Sequence, residues 1–306
     1  MIIIGSGYAQ VLQALAQAGW GIVWTSLYHL VPMLFCVIGW QGLMPGKKRP
    51  SLGYFFYLLW LRTSINNLMP VARIGGEVVA VRLMTKDGIR KTDATAATVV
   101  ELTVSVIAVF LFSLIGVGMF ALHINNRNVV LQLILGLVLS LPVIAMLLFI
   151  QRAGFFGLLL KIFNLMFHDV GEKLAGHTAR LDRAVQTMYR RQHRVLICGL
   201  WQFISWVSGT GEIWLALYFL GSPLSLAKCF MIEALIQASS SAAFVVPAAL
   251  GVQEAGFFLF GVILGLTPQI AVALAVMRRC RDLIIFVPGL IAWQIQEGRW
   301  LLKKRN

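Results

Sequence analysis

The sequence predicts an all-α integral membrane protein, a polytopic helical bundle with two inverted-topology repeats that each contain a broken re-entrant helical hairpin. Three observations lead to this prediction. The chain is 59% hydrophobic and only 12% charged, with a mean hydropathy of +0.82, whereas soluble domains are about 25% charged. Several apolar stretches reach the roughly 20 residues that a helix needs to cross a bilayer. One polar, helix-breaking motif occurs twice.

The apolar stretches define the predicted elements. The N-terminal stretch MIIIGSGYAQVLQALAQAGW lacks the basic region of a signal peptide, so we expect a short or interfacial first helix there. The predicted spanning helices are long and apolar, at 20–43, 94–122, 129–151, 195–220 and 269–296. Two further apolar regions, 51–85 and 224–266, are interrupted by proline, glycine and charge. We therefore predict one transmembrane domain over residues 1–306, with repeat one at about 51–122 and repeat two at about 224–296.

Basic residues indicate which loops are cytoplasmic, because Lys and Arg accumulate on that side of a membrane. They cluster at 47–49, 82–91, 152–194 and 299–305, and the formal net charge is +14. With all four clusters inside, both broken regions must enter the membrane and return on the same side, as re-entrant hairpins do. The C-terminus is then cytoplasmic.

Residues 152–193 form a long polar connection between the two repeats. Its apolar residues recur at helical spacing among basic ones, at Leu174, Thr178, Leu181, Val185 and Met188. This pattern is typical of an amphipathic helix on an anionic lipid surface. A solvated basic loop is the alternative.

Cysteine and histidine show no pattern typical of a metal or catalytic site. The four cysteines form no CxxC pair, and the five histidines have no metal-ligand spacing. The sequence also lacks a phosphate-binding glycine loop, a GxSxG motif and a nucleic-acid motif. We expect no catalytic residue, cofactor, metal or nucleic-acid partner, and we expect the histidines to lie apart from the membrane arginines.

The repeated motif is PVARIGGE at 70–77 and PAALGVQE at 247–254. Proline and glutamate are seven residues apart in both copies, and the same shift of 177 residues (247 − 70) aligns Gly88 with Gly265. Three predicted spans lie between the copies, and an odd number inverts the second copy in the membrane. Inverted repeats with interrupted segments are typical of secondary transporters, which bind their substrate near the bilayer midplane.

The helix breakers have a physical purpose in this arrangement. Irregular backbone in the hydrocarbon layer is tolerated only against protein or a water-filled cavity. Proline interrupts a helix and glycine allows tight turns, so we expect hinges at Pro70, Gly75, Gly76, Pro247 and Gly251. The amides of Asn66 and Asn67 can satisfy backbone groups that the break releases.

Charged side chains at membrane depth are costly and face a cavity or a partner. On helix 269–296, Arg278, Arg281 and Asp282 share one face at i, i+3 and i+4, so this spacing allows an Arg278–Asp282 pair. Arg279 points elsewhere and needs a different partner. Three arginines against one aspartate predict a site that is positively charged.

Glu254, Glu101 or a bound anion could neutralise that charge. Three interpretations remain open: a polar cavity for a charged lipid headgroup, a closed ion-pair network that joins the two repeats, or a proton relay through Glu77, Glu254 or Glu101. The candidates for headgroup binding are polar side chains predicted at membrane depth: Arg62, Asn66, Asn67, Arg73, Glu77, Glu101, Glu254, Arg278, Arg281 and Asp282.

The segments NNLMPVARIGGEVVAVRLM, AATVVE and VVPAALGVQEAGFFLFGVILGL, with AVALAVMRRCRDL after them, resemble the transmembrane domain of lysylphosphatidylglycerol synthases. The chain is most similar to the hopanoid-biosynthesis-associated members, which lack the aminoacyl-transferase domain. The positions that match the family pattern are Pro70, Gly75, Gly76, Glu77, Pro247, Gly251, Glu254, Arg278 and Arg281. GVQE departs from the more glycine-rich second element of the family.

The resemblance implies a lipid translocase-like (flippase-like) protein of the bacterial inner membrane, acting on a hopanoid or a phospholipid. Lipid aminoacylation is not expected, because residues 298–306 are only a basic tail. The expected partners are a membrane lipid, a second copy of the chain, or enzymes of lipid biosynthesis. The alternatives are an integral-membrane lipid-modifying enzyme and a non-catalytic scaffold of a lipid-biosynthesis complex.

Overall fold

The computed structural model describes residues 8–44, 50–69, 75–123, 171–242 and 251–305, together with residues 131, 135 and 138. Every regular element that it gives for these residues is an α-helix, as predicted. In chain order they are α1 (Tyr8–Ala18), α2 (Gly21–Tyr28), α3 (Leu30–Leu43), α4 (Leu52–Leu68), α5 (Gly75–Lys86), α6 (Lys91–His123), α7 (Gly171–Arg190), α8 (Gln192–Phe219), α9 (Leu226–Ala242), α10 (Val252–Ile263) and α11 (Pro268–Arg305).

The predicted spans agree with the long helices. Two segments among the described residues are long and apolar enough to cross a membrane, Gly21–Leu43 and Lys91–His123. Helices α8 and α11 cover the predicted spans at 195–220 and 269–296. The predicted span at 129–151 lies outside the described residues, apart from three isolated positions.

The first long segment is interrupted once. Helix α2 ends at Tyr28 and α3 begins at Leu30, so His29 lies between them. Its backbone torsions, φ −58° and ψ −21°, remain in the right-handed helical region. The two helices therefore follow almost the same axis, and His29 marks a point where it can bend.

Both broken regions consist of two helices that pack against each other. In the first, α4 and α5 meet at their outer ends, where the Tyr54 hydroxyl donates to Asp87 Oδ2 at 2.5 Å. In the second, α9 and α10 meet in the same way, and Lys228 Nζ donates to the carbonyl oxygen of Leu264 at 2.9 Å. Each region thus folds back so that its two ends are neighbours.

The second helices of these regions end in the same geometry. Both α5 and α10 have 12 residues, and their bounds are related by the same 177-residue shift as the motifs. Gly88 and Gly265 follow them with φ of +87° and +106°, a left-handed conformation that glycine adopts without steric cost. The N–H of Ile89 bonds the Met84 carbonyl and the N–H of Leu266 bonds the Gly261 carbonyl, at 3.0 and 2.9 Å.

The buried apolar side chains form two groups. One is centred on Trp40, Phe55 and Phe286, and its residues come from α3 to α8 and from α11. The other contains Phe120 and Phe257 and lies among α1, α6, α8, α9, α10 and α11. Helices α6, α8 and α11 contribute buried residues to both groups, so they join the two halves of the bundle.

The predicted amphipathic helix within 152–193 is present as α7. Its residues Val185 and Met188 are buried in the apolar group around Trp40, and α7 packs against α6. This part of the apolar stripe therefore faces the protein and not a lipid surface, while Arg180 and Arg183 on other faces are exposed. The side chains of Leu174 and Thr178 lie outside the described residues.

Candidate functional site

The first charge cluster is built around an ion pair between α4 and α6. Arg62 Nη1 and Nη2 donate to the two carboxylate oxygens of Glu101 at 2.6 and 3.2 Å. Glu101 is fully buried, and Gln202 on α8 donates to it at 2.7 Å. The guanidinium also lies over the Trp40 ring, 4.7 Å from its centroid. Paired charge-assisted bonds of this kind are strong enough to hold a buried carboxylate.

Asn66 and Glu77 join the two helices of the first broken region. Both carboxylate oxygens of Glu77 accept from Asn66 Nδ2, at 3.1 and 3.0 Å. Asn66 Oδ1 accepts the N–H of Gly76 at 2.9 Å, so one amide satisfies a carboxylate and a helix N-terminus. A Cβ at position 76 would overlap the Arg62 carbonyl oxygen, and glycine is therefore required for this close approach.

The second charge cluster begins with Arg278 on α11. Its Nη1 donates to Glu212 Oε1 on α8 at 3.0 Å, and its Nη2 donates to Glu233 Oε1 on α9 at 2.9 Å. Both carboxylates are buried. The predicted pair of Arg278 with Asp282 was wrong, because the guanidinium bonds carboxylates from two other helices instead.

Arg281 completes this cluster together with a histidine. Its Nη1 lies 3.1 Å from Glu212 Oε2 and 2.8 Å from His29 Nδ1, and its Nη2 donates to Asp282 Oδ1 at 2.5 Å. His29 Nδ1 is also 2.8 Å from Glu212 Oε2. The prediction that histidines lie apart from the membrane arginines was wrong for His29, because α2 and α11 pack together although they are far apart in sequence.

Arg279 leaves the other face of α11 and has its own partner, as predicted. Its Nε donates to Glu254 Oε1 at 2.6 Å, and its Nη1 lies 3.6 Å from Asp282 Oδ2. The second oxygen of Glu254 accepts the N–H of Gly251 at 2.8 Å. Gly251 has φ +82° and precedes α10, so its left-handed backbone makes this helix start possible.

The charges of the second cluster are balanced differently from the prediction. Its three guanidiniums meet four carboxylates, from Glu212, Glu233, Glu254 and Asp282. The predicted excess of positive charge was wrong, because Glu212 and Glu233 were not assigned to the arginines. Within the described part of the chain, the cluster carries one negative charge when His29 is neutral.

The two clusters have opposite polarity at equivalent places. In sequence, the 177-residue shift that relates the motifs aligns Glu101 on α6 with Arg278 on α11. In the first half the cation, Arg62, lies on α4 and the carboxylate on α6. In the second half the carboxylate, Glu233, lies on α9 and the cation on α11. Each pair joins the first helix of a broken region to the long helix that follows it.

Helix α8 connects the clusters. Gln202 contacts the first cluster and Glu212 the second. Ten helical residues correspond to about 15 Å along an axis. The two clusters are therefore separate sites on one rigid element, about half a bilayer core apart.

A groove of about 690 Å³ lies between α5 and α6. Its wall is mainly apolar, with Val78, Val81, Val99 and Leu102, and Glu77 belongs to its lining. Basic side chains also line it, near the turn that joins the two helices: Arg82, Lys86 and Lys91. Through Glu77 the groove is continuous with the first charge cluster. An apolar groove with cations at one end is complementary in shape and charge to an amphipathic anion.

Comparison with known families decides the identity at family level. The chain matches the lysylphosphatidylglycerol synthase TM region over residues 2–289. It belongs to this family. No curated protein and no solved structure matches the chain. Membership in the lysylphosphatidylglycerol synthase TM family makes it a transmembrane protein linked to lipid metabolism, and the family prediction is confirmed.

The remaining predicted site residues of this family member are distributed as follows. Asn67 lies half-buried on α4, and Gly75 begins α5. Arg73, Pro70 and Pro247 lie outside the described residues. Among the residues that the structure does describe, no group of three or more His, Cys, Asp or Glu is arranged to hold a metal.

Several residues of the clusters were not assigned from the sequence. Glu212 and Glu233 are charged residues within apolar helices, a signal that marks them as candidates but does not name their partners. Gln202 and Cys36, whose Sγ lies 3.7 Å from Glu101 Oε1, give no such signal because they are uncharged. His29 does give one, because histidine is rare within membrane helices, but it was expected to lie apart from the arginines. Their positions in the lysylphosphatidylglycerol synthase TM fold follow from helix packing alone.

Proposed function

We propose that this protein is a lipid translocase-like (flippase-like) protein that binds an amphipathic lipid and moves it between leaflets. Its membership in the lysylphosphatidylglycerol synthase TM family supports a role with membrane lipids. The observation that carries the proposal is the groove between α5 and α6, which combines an apolar wall with charged residues. Lipid chains would lie along Val81 and Val99, with the headgroup toward the charged lining.

The proposal includes two inverted repeats with re-entrant hairpins. The equal lengths of α5 and α10, their shared 177-residue offset and their matching glycine ends support a common origin of the two halves. The contacts Tyr54–Asp87 and Lys228–Leu264 support hairpins whose ends share one side of the membrane. The crossing that would invert the second half is the predicted span at 129–151.

The predicted headgroup residues take two roles in this proposal. Glu77 lines the groove, and Asn66 and Arg62 hold its position. The remaining candidates are engaged in carboxylate–guanidinium pairs and would hold the two halves together while the lipid moves: Glu101, Glu254, Arg278, Arg281 and Asp282. This combines the headgroup interpretation with the ion-pair network.

We place the protein in the bacterial inner membrane with a cytoplasmic C-terminus. The exposed basic face of α7 would contact anionic lipid at the cytoplasmic surface. A hopanoid or a phospholipid remains the proposed substrate, and a second copy or lipid-biosynthesis enzymes remain the proposed partners.

A groove-filling variant tests the proposal. Val99→Trp places a large ring in the groove, whereas Leu111→Trp places the same ring on an exposed apolar face of the same helix, away from it. Proteoliposomes with a fluorescent phospholipid in one leaflet report its transfer. We expect Val99→Trp to slow transfer at least about tenfold, a loss of ~1.4 kcal/mol, and Leu111→Trp to match the wild type. Both variants should keep the wild-type unfolding temperature.

The result also separates the alternatives. Transfer no faster than in empty vesicles, with and without ion gradients, would contradict the translocase proposal. Chemical conversion of the added lipid by the purified protein would instead identify a lipid-modifying enzyme. A scaffold would retain its partners in Val99→Trp and show no transfer in any variant.

A further inference from the structure

The ring nitrogen Nδ1 of His29 is shared between two groups of opposite charge. Glu212 Oε2 and Arg281 Nη1 each lie 2.8 Å from it. With a proton on Nδ1, the ring donates to the carboxylate and has nothing to offer the guanidinium. Without that proton, Nδ1 accepts from the guanidinium and its lone pair faces the carboxylate. Nδ1 therefore cannot satisfy both contacts at once. The neutral ring with its proton on Nε2 favours Arg281, whereas a proton on Nδ1, in the other neutral tautomer or in the doubly protonated ring, favours Glu212.

His29 is placed so that this choice affects the backbone. It is the residue between α2 and α3, where the first long segment is interrupted. Its two partners belong to α8 and α11, which both pack against α2. A change of partner would alter how the N-terminal segment is held against α11. The ring also meets Phe286 of α11 edge-on, with centroids 5.9 Å apart.

Influences of both signs act on the ring: Glu212 favours an added proton, whereas burial, Arg281 and Arg278 oppose it. The titratable and charged groups near His29 come from its own segment, from α8 and from α11: Tyr28, Glu212, Arg278, Arg281 and Asp282. Glu233 of α9 joins them through Arg278, and α1, which also packs on α11, has no charged residue. The second cluster has one carboxylate more than it has guanidiniums, and a proton on His29 would balance it.

The site is also partly open and incompletely bonded. The His29 side chain keeps 18% of its exposure, against 4% for Glu212, so the histidine is the less enclosed member of the pair. Within the described chain, Arg281 Nε and Glu233 Oε2 are buried without a hydrogen-bond partner. Arg279 Nη2 is a third such atom, and a cluster with two donors and one acceptor unused has an alternative set of pairings available.

We propose that His29, together with Glu212 and Arg281, forms a proton-binding site that couples the α2–α3 segment to α11. Proton binding at Nδ1 moves the ring from Arg281 to Glu212, and proton release reverses the exchange. The proton comes from water and returns to it, and no other bond is made or broken. The inference deepens the proposed function and rests on it only for the consequence, which is that proton movement drives or regulates lipid transfer.

Titration of the histidine itself tests the site without any transport assay. A variant that retains only His29 is made by replacing the other four histidines with glutamine, at positions 123, 168, 177 and 193. Its isotope-labelled ring is followed by NMR in lipid nanodiscs. We expect the ring to change from neutral to doubly protonated as the pH falls from about 8 to about 4. A ring that keeps one charge state throughout this interval would overturn the site, whether or not the protein transfers lipid.

Transfer in proteoliposomes tests the coupling. His29→Gln keeps a side chain that can donate and accept but removes the titration, and His193→Gln removes an exposed histidine at the start of α8. A pH gradient of one unit across the vesicle should change the wild-type rate by up to about tenfold, since one unit is about 1.4 kcal/mol per proton. The response should be lost in His29→Gln and kept in His193→Gln.

The two failures are distinguishable. Absence of transfer in every sample with a titrating His29 would remove the proposed function and leave the proton site. Equal pH responses of His29→Gln and the wild type would overturn the coupling. If His29→Gln does not assemble, His29→Asn takes its place, and the NMR titration still decides whether the site exists.

Discussion

At the scale of single residues, the charged side chains could be found from the sequence but their partners could not. Helical spacing suggested a pair between Arg278 and Asp282, but Asp282 bonds its sequence neighbour Arg281 instead. It could not supply Glu212 and Glu233, which lie 66 and 45 residues from Arg278. Spacing along a helix fixes only the direction of a side chain, whereas its partner depends on which helices pack beside it.

The buried pair Arg62–Glu101 leads to a stability prediction. Arg62→Ala leaves the fully buried Glu101 without a cation, and removal of one partner of a buried ion pair typically costs about 3–5 kcal/mol. We expect a clear fall in the unfolding temperature of the purified protein in detergent. Arg62→Met combined with Glu101→Met should recover part of the loss, because no charge is then left unpaired.

Arg90→Ala is the matched control for this prediction. Arg90 pairs with Asp93 at 2.8 Å, but 79% of its side chain is exposed, and such pairs contribute less than about 1 kcal/mol. Its unfolding temperature should be close to that of the wild type. Equal losses in Arg62→Ala and Arg90→Ala would show that the Arg62–Glu101 pair is not buried as described.

At the scale of elements, glycine and proline mark each break, although one uninterrupted span was predicted at 20–43. The division of 51–85 into α4 and α5 follows from residues that interrupt any helix. Around His29 the helix breaker is Pro32, which has no N–H to bond the Tyr28 carbonyl four residues earlier. Helix α7 lies within the predicted amphipathic connection, but periodicity does not distinguish lipid from another helix as the surface that Val185 contacts.

The contact between α6 and α9 depends on a small residue. A Cβ at Gly116 would overlap the Cβ of Ala234, whereas a Cβ at Gly118, on the same helix, meets nothing within 4 Å. Small residues allow close helix packing in membranes. We expect Gly116→Ala to destabilise the protein by about 1–3 kcal/mol through overpacking.

Gly118→Ala is expected to be neutral or to stabilise the helix by roughly 0.5–1 kcal/mol, because alanine loses less backbone entropy. Unfolding temperatures of the two variants, measured in one detergent, decide the matter. A loss in Gly118→Ala as large as that in Gly116→Ala would contradict the described α6–α9 contact.

At the scale of the whole molecule, the repeated motif predicted corresponding helices, and the bounds of α5 and α10 follow the predicted offset. The exchange of charge between the halves was not predicted. Comparison by identity counts Glu101 opposite Arg278 as a mismatch, although each residue forms the ion pair that joins corresponding helices. In the proposed repeat, the ion pair would be kept while its two members are exchanged, which a search for identical residues does not detect.

The proposed topology can be tested with single cysteines. After Cys36, Cys198, Cys229 and Cys280 are replaced by alanine, a cysteine is introduced separately at three exposed positions, Ser51, Arg90 and Pro223. A membrane-impermeant thiol reagent should label the Pro223 position from outside intact cells. The other two positions should be labelled only after the membrane is opened.

Labelling of the Ser51 and Arg90 positions from opposite sides would show that α4 and α5 together cross the bilayer, and the re-entrant hairpin would be discarded. Labelling of the Pro223 position from the cytoplasm would instead contradict the inverted second half. Each result is independent of any transport activity.

The exchanged positions of Glu101 and Arg278 have a consequence for direction. If the halves face opposite leaflets, a half-turn that exchanges the two leaflets would place α6, with Glu101, where α11, with Arg278, had been. An ionised lipid would then meet different charges on entry from each side, so the rates of forward and reverse transfer would differ. Given an energy source, such a protein would leave the two leaflets unequal in composition.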